Sequence, residues 1–163
     1  MKIIKLQQSH IKEAIDLVWI VFQEFGSIDY STEGIKKFKE SIDYDSIITI
    51  CNRGSLTFWG YYDNNELVGI IAMKHINQIC MLFVKKEYQR KHIETSLFEI
   101  ALKNCKDNHF KVITVKSPPY LIEVYHRLGF KEIGTEQVID GIPFTPMIYK
   151  LKLNHWFHKY TVL

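Results

Sequence analysis

The 163-residue sequence is 47% hydrophobic, which is enough apolar material for the core of one globular domain. Its formal net charge of +3 comes from 18 Lys and only 3 Arg, and bidentate contacts to bases and phosphates favour Arg, so this excess is weak evidence for nucleic-acid binding. Lys12, Glu13 and Asp16 interrupt the N-terminal segment, and no charge-free run reaches the roughly 18 apolar residues of a membrane span. We therefore expect a cytoplasmic protein that contacts neither nucleic acid nor membrane.

The cysteine and histidine residues predict no metal centre. Cys51, Cys80 and Cys105 have no C-x-x-C spacing, and the seven His residues include no H-x-x-x-H pair. We therefore expect three inert core thiols and no bound metal.

The N-terminal part of the chain alternates strand and helix patterns. Residues 2–6 are typical of a short strand, and Ser9 can cap a helix that Gly26 ends. A second helix is predicted after Ser31 or Thr32. The next segments are less distinct, because residues 43–45 favour a loop and residues 47–51 are too short to assign.

The middle of the chain predicts a hairpin followed by a central strand. The Asp63-Asn64-Asn65 cluster favours a tight turn between two apolar runs. A nearly continuous apolar run then indicates a strand buried on both faces. The three strands expected here are residues 55–62, 66–74 and 78–84.

The C-terminal half begins with a basic loop, residues 89–95, that opens an amphipathic helix. Ser117 and Pro118 form a strong helix start, and Gly129 supplies a C-terminal cap. A turn is expected at Asp140-Gly141. The strands predicted around these features are residues 110–115, a short strand in 130–134, and residues 147–153.

The last ten residues, 154–163, are aromatic and have no clear pattern. They form an extension that packs on its own domain, or they provide a subunit contact in a homodimer. The sequence leaves both alternatives open.

Five segments together resemble the GNAT superfamily of acyl-CoA-dependent N-acetyltransferases, over nearly the whole of residues 1–153. They are most similar to a bacterial subgroup with small or undefined substrates. The resemblance implies an α/β (α+β) GNAT fold, with a mixed, mostly antiparallel seven-stranded sheet and helices on both faces. The segments are "EFGSIDYSTEG", "ELVGIIAMK", "MLFVKKEYQRKHIETSLF", "VYHRLGF" and "DGIPFTPM".

In this family a glycine-containing loop at a helix N-terminus holds the CoA pyrophosphate through backbone N–H groups, which the helix dipole assists. Here Gln89 keeps the first loop position, but His92 and Glu94 replace the two small residues, so the loop is degenerate. The alternative without a cofactor role is a plain N-capped helix preceded by a solvated basic turn. The resemblance implies that acetyl-CoA contacts Leu82, Phe83, Val84, Gln89, Arg90, Lys91, His92, Ile93, Glu94, Thr95, Lys116 and Tyr125.

The resemblance also implies a catalytic acid, because Tyr125 matches a tyrosine that many relatives place beside the CoA sulfur. A phenol there can protonate or stabilise the departing thiolate, and the match in spacing favours this role over the alternative of a core tyrosine that packs beside Leu121 and Leu128. Gln78 stands where some relatives have a catalytic Glu, so the general base is undetermined. Glu24, Tyr30 and Phe144 are expected to line the acceptor pocket.

The function implied is direct, sequential transfer of an acetyl group from acetyl-CoA to a primary amine on a small molecule or a peptide. No activated Cys or Ser nucleophile is evident. The alternative is a catalytically impaired module that binds CoA weakly or not at all and acts through protein interactions.

Overall fold

Eight strands form a mixed sheet at the centre of the computed structural model, which describes residues 1–152. They are β1 (Lys2–Lys5), β2 (Leu56–Asp63), β3 (Glu66–Lys74), β4 (Gln78–Val84), β5 (Val112–Ser117), β6 (Lys131–Glu132), β7 (Gln137–Ile139) and β8 (Ile142–Lys150). The order is β1-β2-β3-β4-β5-β8-β6, and β7 pairs with β8 beside this path. Of the described pairs, β4–β5 alone is parallel.

Within residues 1–152, five α-helices cover the two faces of this sheet. They are α1 (Gln8–Val21), α2 (Thr32–Ser41), α3 (Tyr44–Asn52), α4 (Ile93–Asp107) and α5 (Ile122–Leu128). One buried cluster joins α1, α2 and α3 to one face, and a second joins α4 and α5 to the other. Helices on both faces are therefore confirmed.

Strand β3 shows why the sheet is buried on both sides. Its side chains divide between the two clusters: Val68 and Ile71 face α4, whereas Leu67 and Ile70 face α1. All four are at most 1% exposed. A register shift against β2, which leaves Val68 without an opposite residue, interrupts the strict alternation of a strand. A strand with two buried faces produces the continuous apolar run seen in the sequence.

The predicted turns and the cap at Ser31 agree with the structure. Asn64 and Asn65 have φ of 48° and 65°, and Asp140 and Gly141 have φ of 52° and 76°, the backbone that two-residue hairpin turns require. The Ser31 hydroxyl accepts a hydrogen bond from the Gly34 N–H at 3.0 Å and so caps α2.

The caps expected at Ser9 and Ser117 are wrong. Gln7 is the N-cap of α1, and Ser117 is the last residue of β5, which a 3-10 turn at Pro119–Leu121 separates from α5.

Helix α3 corrects the expectation of a loop at residues 43–45. The Asp43 carboxylate accepts a hydrogen bond from the Ser46 N–H at 3.2 Å, which caps a helix starting at Tyr44. Ile47 is 2% exposed and anchors the helix on the sheet. The ambiguous residues 47–51 are therefore helical.

The C-terminal strands differ from the prediction in number and in position. Residues 131–139 provide two short strands instead of one, which raises the total from seven to eight. The last strand begins at Ile142 rather than at residue 147, because Pro143 and Pro146 are accommodated within β8. The expected strand at 110–115 lies two residues later, at Val112–Ser117.

The expectation of three core thiols is wrong for two of them. Cys105 is fully buried, whereas Cys51 is half-buried and Cys80 is exposed. The aromatic segment 154–163 and its possible subunit contact lie outside the described residues. Within residues 1–152, no helix is both long enough and apolar enough to cross a bilayer.

Candidate active site

A cleft opens between the parallel strands β4 and β5. Their pairing is limited to Gln78 opposite Thr114 and Ile79 opposite Val115, although both strands continue beyond these residues. The register of β4 against β3 shifts between Ala72 and Met73, which leaves Cys80 without an opposite residue. Such a bulge bends its strand and ends pairing, so the bulge explains the cleft.

Backbone groups of β4 point into this cleft. The Lys85 N–H donates to the Val68 carbonyl at 2.9 Å, and the β3–β4 bonds alternate from there. The backbone of Phe83 therefore faces β3, whereas Leu82 and Val84 face the cleft. The Val84 carbonyl accepts a hydrogen bond from the Gln89 side-chain amide at 3.2 Å, which ties the basic loop to the end of the strand.

At the mouth of the cleft lies a crevice of about 280 Å³. Its walls come from β4 and β5, from residues 118–125 that follow β5, from Tyr30 and Phe38 before and within α2, and from the β7–β8 hairpin. Six residues that the sequence singles out line it: Tyr30, Leu82, Phe83, Lys116, Tyr125 and Phe144. The crevice therefore unites the expected thioester end of the cofactor with part of the expected acceptor pocket.

Tyr125 is 1% exposed and lies in the wall of the crevice. Its ring packs edge-on against Phe130, with centroids 5.2 Å apart. Burial, and then the neighbouring Tyr120 and Cys80, raise the pKa of the Tyr125 phenol well above its usual range. The phenol is therefore protonated at any ordinary pH and can donate a hydrogen bond, although burial makes it a weaker acid than a free tyrosine.

Tyr120 is a second crevice tyrosine that sequence reasoning missed. Its hydroxyl is buried without a hydrogen-bond partner among the described residues, and burial raises the pKa of its phenol. Its ring stacks on Phe25 at a centroid distance of 6.3 Å. The signal for it was the rigid Pro118-Pro119 pair immediately before it, which holds this residue close to Tyr125.

Cys80 is the other missed crevice residue. Its surface opens into the crevice, yet protein atoms surround the thiol, which donates to the Ala72 carbonyl at 3.4 Å. This desolvation raises the pKa of the Cys80 thiol to about 12, although Lys74 acts in the opposite direction. A thiol that remains protonated is a poor nucleophile.

A second groove, of about 540 Å³, lies between the basic loop and α5. Arg127 faces the loop across this groove. Lys91 is not part of it, because its ammonium lies over the Tyr88 ring, 5.2 Å from the centroid. Ile93 is 2% exposed and anchors the loop in the core. The loop residues that line the groove are Gln89, Arg90, His92, Glu94 and Thr95.

The loop keeps the backbone shape that glycine would provide. Arg90 and His92 have φ of 61° and 60°, in the left-handed region. His92 is the N-cap of α4, and no described side chain caps this helix. The first N–H groups of an α-helix have no intrahelical acceptor, and in α4 no described side chain accepts from them either. The alternative of a plain N-capped helix is therefore contradicted.

One expected acceptor residue lies elsewhere. Glu24 is exposed and lines a separate groove with Lys85, Lys86 and Lys91, whereas Tyr30 and Phe144 line the crevice. Asp140 is the crevice-lining carboxylate among the described residues. Asp29 lies close to Tyr30 and, after burial, contributes to the raised pKa of that phenol.

Comparisons with known proteins agree on one family. The sequence model of the acetyltransferase (GNAT) domain matches residues 27–151. A curated N-alpha-acetyltransferase from Saccharolobus solfataricus is 29% identical over 80 residues, which cover 46% of either chain. The match thus spans less than half the length of that protein.

Solved structures share the fold at low sequence identity. A GCN5-related N-acetyltransferase from Rhodopseudomonas palustris has a TM-score of 0.79 at 17% identity, covering 92% of this chain and 95% of its own. PaiA N-acetyltransferase from Thermoplasma acidophilum, solved in complex with coenzyme A, has a TM-score of 0.76 at 22% identity, covering 92% and 98%. A GNAT-family acetyltransferase from Staphylococcus aureus gives 0.73 at 19%, covering 93% and 99%.

Proposed function

Because this chain belongs to the GNAT acetyltransferase domain family, we propose that it transfers the acetyl group of acetyl-CoA directly to a primary amine. The observation that carries the proposal is the cleft between β4 and β5, where the backbone of Leu82 faces open space instead of a neighbouring strand. A cleft of this kind can accept an extended ligand that pairs with main-chain groups.

We infer that the crevice and the loop groove form one binding path. The Gln89 side chain joins the loop to the carbonyl of Val84 at the end of β4. Helix α5 contributes Tyr125 to the crevice and Arg127 to the groove, and these residues, two positions apart, project from opposite sides of the helix. A cofactor with a thioester at one end and phosphates at the other fits this path.

The residues of the groove fit a diphosphate. The uncapped N–H groups at the start of α4 and the positive end of its dipole attract phosphate oxygens. Arg90 and Arg127 add positive charge, which offsets the repulsion from the Glu94 carboxylate. We therefore expect that the replacement of two small residues by His92 and Glu94 weakens diphosphate binding but leaves the backbone N–H groups available to the phosphates.

In the crevice, we assign two tasks to the protein. The Leu82 N–H polarises the thioester carbonyl, in the manner of an oxyanion hole. The Tyr125 phenol donates a hydrogen bond to the sulfur as the carbon–sulfur bond breaks. Burial raises the pKa of this phenol well above 10, whereas the intrinsic pKa of the departing thiol is roughly 8.5, so the phenol keeps its proton and stabilises the thiolate.

No side chain is assigned as the general base. Asp140 lines the crevice on the exposed β7–β8 turn, and water can carry the amine's proton to solvent from there. Alignment of amine and thioester alone supplies a large part of the rate. Direct attack also suits the thiol at Cys80, because a pKa of about 12 leaves it unsuited to forming an acyl-enzyme.

Calorimetric titration with acetyl-CoA tests this proposal. We expect a Kd below about 100 μM, weakened about tenfold in Arg127→Glu, since a reversed charge within roughly 5 Å of a phosphate changes binding by 1–3 kcal/mol. Lys106→Glu is the matched control, because Lys106 is exposed at the far end of α4, about 20 Å from the loop. Absence of heat at millimolar acetyl-CoA would instead favour a protein-interaction module.

The degenerate loop has its own test. His92→Gly with Glu94→Gly removes an imidazole and a carboxylate from the groove while retaining the backbone, so binding should tighten by about tenfold. An unchanged affinity in the double variant would show that the diphosphate is not held here.

A further inference from the structure

The amine end of the crevice is built almost entirely from apolar side chains. Phe38, Phe83, Ile142 and Phe144 line it together with the buried tyrosines. Asp140 is its carboxylate among the described residues, and residues 153–163 contain neither Asp nor Glu. A multiply charged amine would therefore find few partners for its additional charges, and unpaired charges are costly to desolvate.

Lys116 reinforces this preference. Its ammonium lies 5.4 Å from the centroid of the Phe144 ring, on the crevice wall. This positive charge repels each cation on the acceptor, so the repulsion increases with every additional charge. The wall therefore selects against polycations by repulsion as well as by lack of partners.

The size and the rim of the crevice point to a small apolar body. Its volume of about 280 Å³, which the acceptor would share with the thioester end of the cofactor, is just below the roughly 300–1,000 Å³ of small-molecule sites. Two neighbouring segments at the rim, joined by the hydrogen bond from the Ser31 N–H to the Gly141 carbonyl at 3.1 Å, expose apolar side chains. Ile139, which lines the crevice, is 53% exposed, and Ile28, two residues before the crevice-lining Tyr30, is 79% exposed.

We propose that the acceptor is a small primary amine that carries one positive charge on an apolar or aromatic body, of the arylalkylamine type. This inference rests on the proposed function. In the reaction the ammonium first loses one proton to water, the neutral amine nitrogen then bonds to the acetyl carbon, and the carbon–sulfur bond breaks. The nitrogen loses a second proton, which reaches the departing sulfur through water, so CoA leaves as the free thiol. The product amide is uncharged and fits the same apolar walls.

Thiol release with a panel of amines tests this acceptor class. We expect kcat/KM for phenethylamine or tryptamine to exceed that for spermidine or kanamycin by about tenfold or more. A preference for spermidine or kanamycin would overturn the inference and leave the acetyl transfer intact.

A pair of substitutions on β7 sharpens the test. Ile139 lines the crevice, whereas Val138 does not, and adjacent strand residues point to opposite faces. Both are exposed, so either should tolerate a carboxylate without unfolding. Ile139→Glu should raise kcat/KM for spermidine about fivefold and lower that for phenethylamine, while Val138→Glu should change neither more than twofold. Equal effects from the two variants would overturn the assignment of the crevice as the amine site.

Binding separates failure of this inference from failure of the proposed function. Phenethylamine should bind the CoA-saturated protein in a calorimetric titration. Binding without thiol release from any amine would support the acceptor class and overturn the transfer reaction. Thiol release from spermidine, with no binding of phenethylamine, would overturn the acceptor class alone.

Discussion

The two ends of the proposed cofactor path use different parts of the chain. At the loop end, the main chain provides the binding groups, and His92 adopts a φ of 60° in place of a glycine. At the crevice end, the side chains define the space, and aromatic rings with few charges surround it. A sequence change at the loop end should therefore alter the affinity for the cofactor while the binding site is retained. A change at the crevice end should instead alter which acceptor molecule fits.

The first test of this difference between the two ends measures how strongly the crevice disfavours charge, and the reactivity of the Cys80 thiol provides the measure. With a pKa of about 12 against an ordinary value of 9.0, its thiolate fraction at pH 8 is lower by about 1,000-fold. Iodoacetamide should therefore label Cys80 about 1,000 times more slowly than a free cysteine, and about tenfold faster with each pH unit above 8. Peptide mass spectrometry measures this rate. Rapid labelling at pH 8 would show that the crevice is not a low-dielectric environment.

The second test removes the Tyr125 hydroxyl, the proposed hydrogen-bond donor to the sulfur. Tyr125→Phe should lower kcat about 100-fold and leave the Kd for acetyl-CoA within about twofold. Because burial raises the pKa of this phenol, the wild-type kcat should not fall through its ionisation between pH 8 and 10. Tyr149→Phe is the control, since Tyr149 packs on the same Phe130 ring, at 5.5 Å, without lining the crevice. Equal losses in both variants would assign Tyr125 a structural role only.

The third test separates backbone shape from ligand binding at the loop end. His92 and His109 both have positive φ, of 60° and 62°. Either His→Gly change should raise the unfolding free energy by about 0.5–1 kcal/mol. Glycine removes the strain of the left-handed backbone, and the greater flexibility of glycine in the unfolded chain offsets part of this gain. Urea unfolding measures both. His92→Gly alone should also alter acetyl-CoA affinity, and an equal effect of His109→Gly would contradict the loop assignment.

The smallest effect concerns the unpaired hydroxyl of Tyr120. Its removal in Tyr120→Phe should raise the unfolding free energy by about 1 kcal/mol, because a buried hydroxyl without a partner is destabilising. Thermal unfolding of the protein without ligand measures this change. A decrease in stability would mean that the hydroxyl has a partner, and the crevice wall would then be more polar than described.

Local patterns predicted the framework of the fold well. The two hairpin turns, the Ser31 cap and Gly129 at the end of α5 follow from residues whose conformation depends on near neighbours. Helix α3 was missed because its start depends on the Asp43 cap, and its apolar residues are too few to establish a period. The extra strand was missed because β6 and β7 are two and three residues long and owe their form to pairing with β8.

The candidate site was predicted unevenly for a similar reason. The loop and Tyr125 occupy fixed positions in a family pattern, so a match in spacing located them. Cys80 reaches the crevice because of a β-bulge, and Tyr120 reaches it because a proline pair precedes it. The direction in which these two side chains point cannot be predicted from the sequence pattern. Glu24 was expected at the acceptor, but the turn from Phe22 to Gly26 carries it to another groove.

The short pairing between β4 and β5 gives the sheet a seam in its middle. Only Gln78 and Ile79 of β4 are laddered to β5, so the Leu82 amide should exchange its hydrogen with solvent faster than the Phe83 amide, which is turned toward β3. A ligand lying in the seam would act as a ninth strand and join the two half-sheets. Saturation with acetyl-CoA should therefore slow exchange at Leu82 and raise the melting temperature as mass action requires.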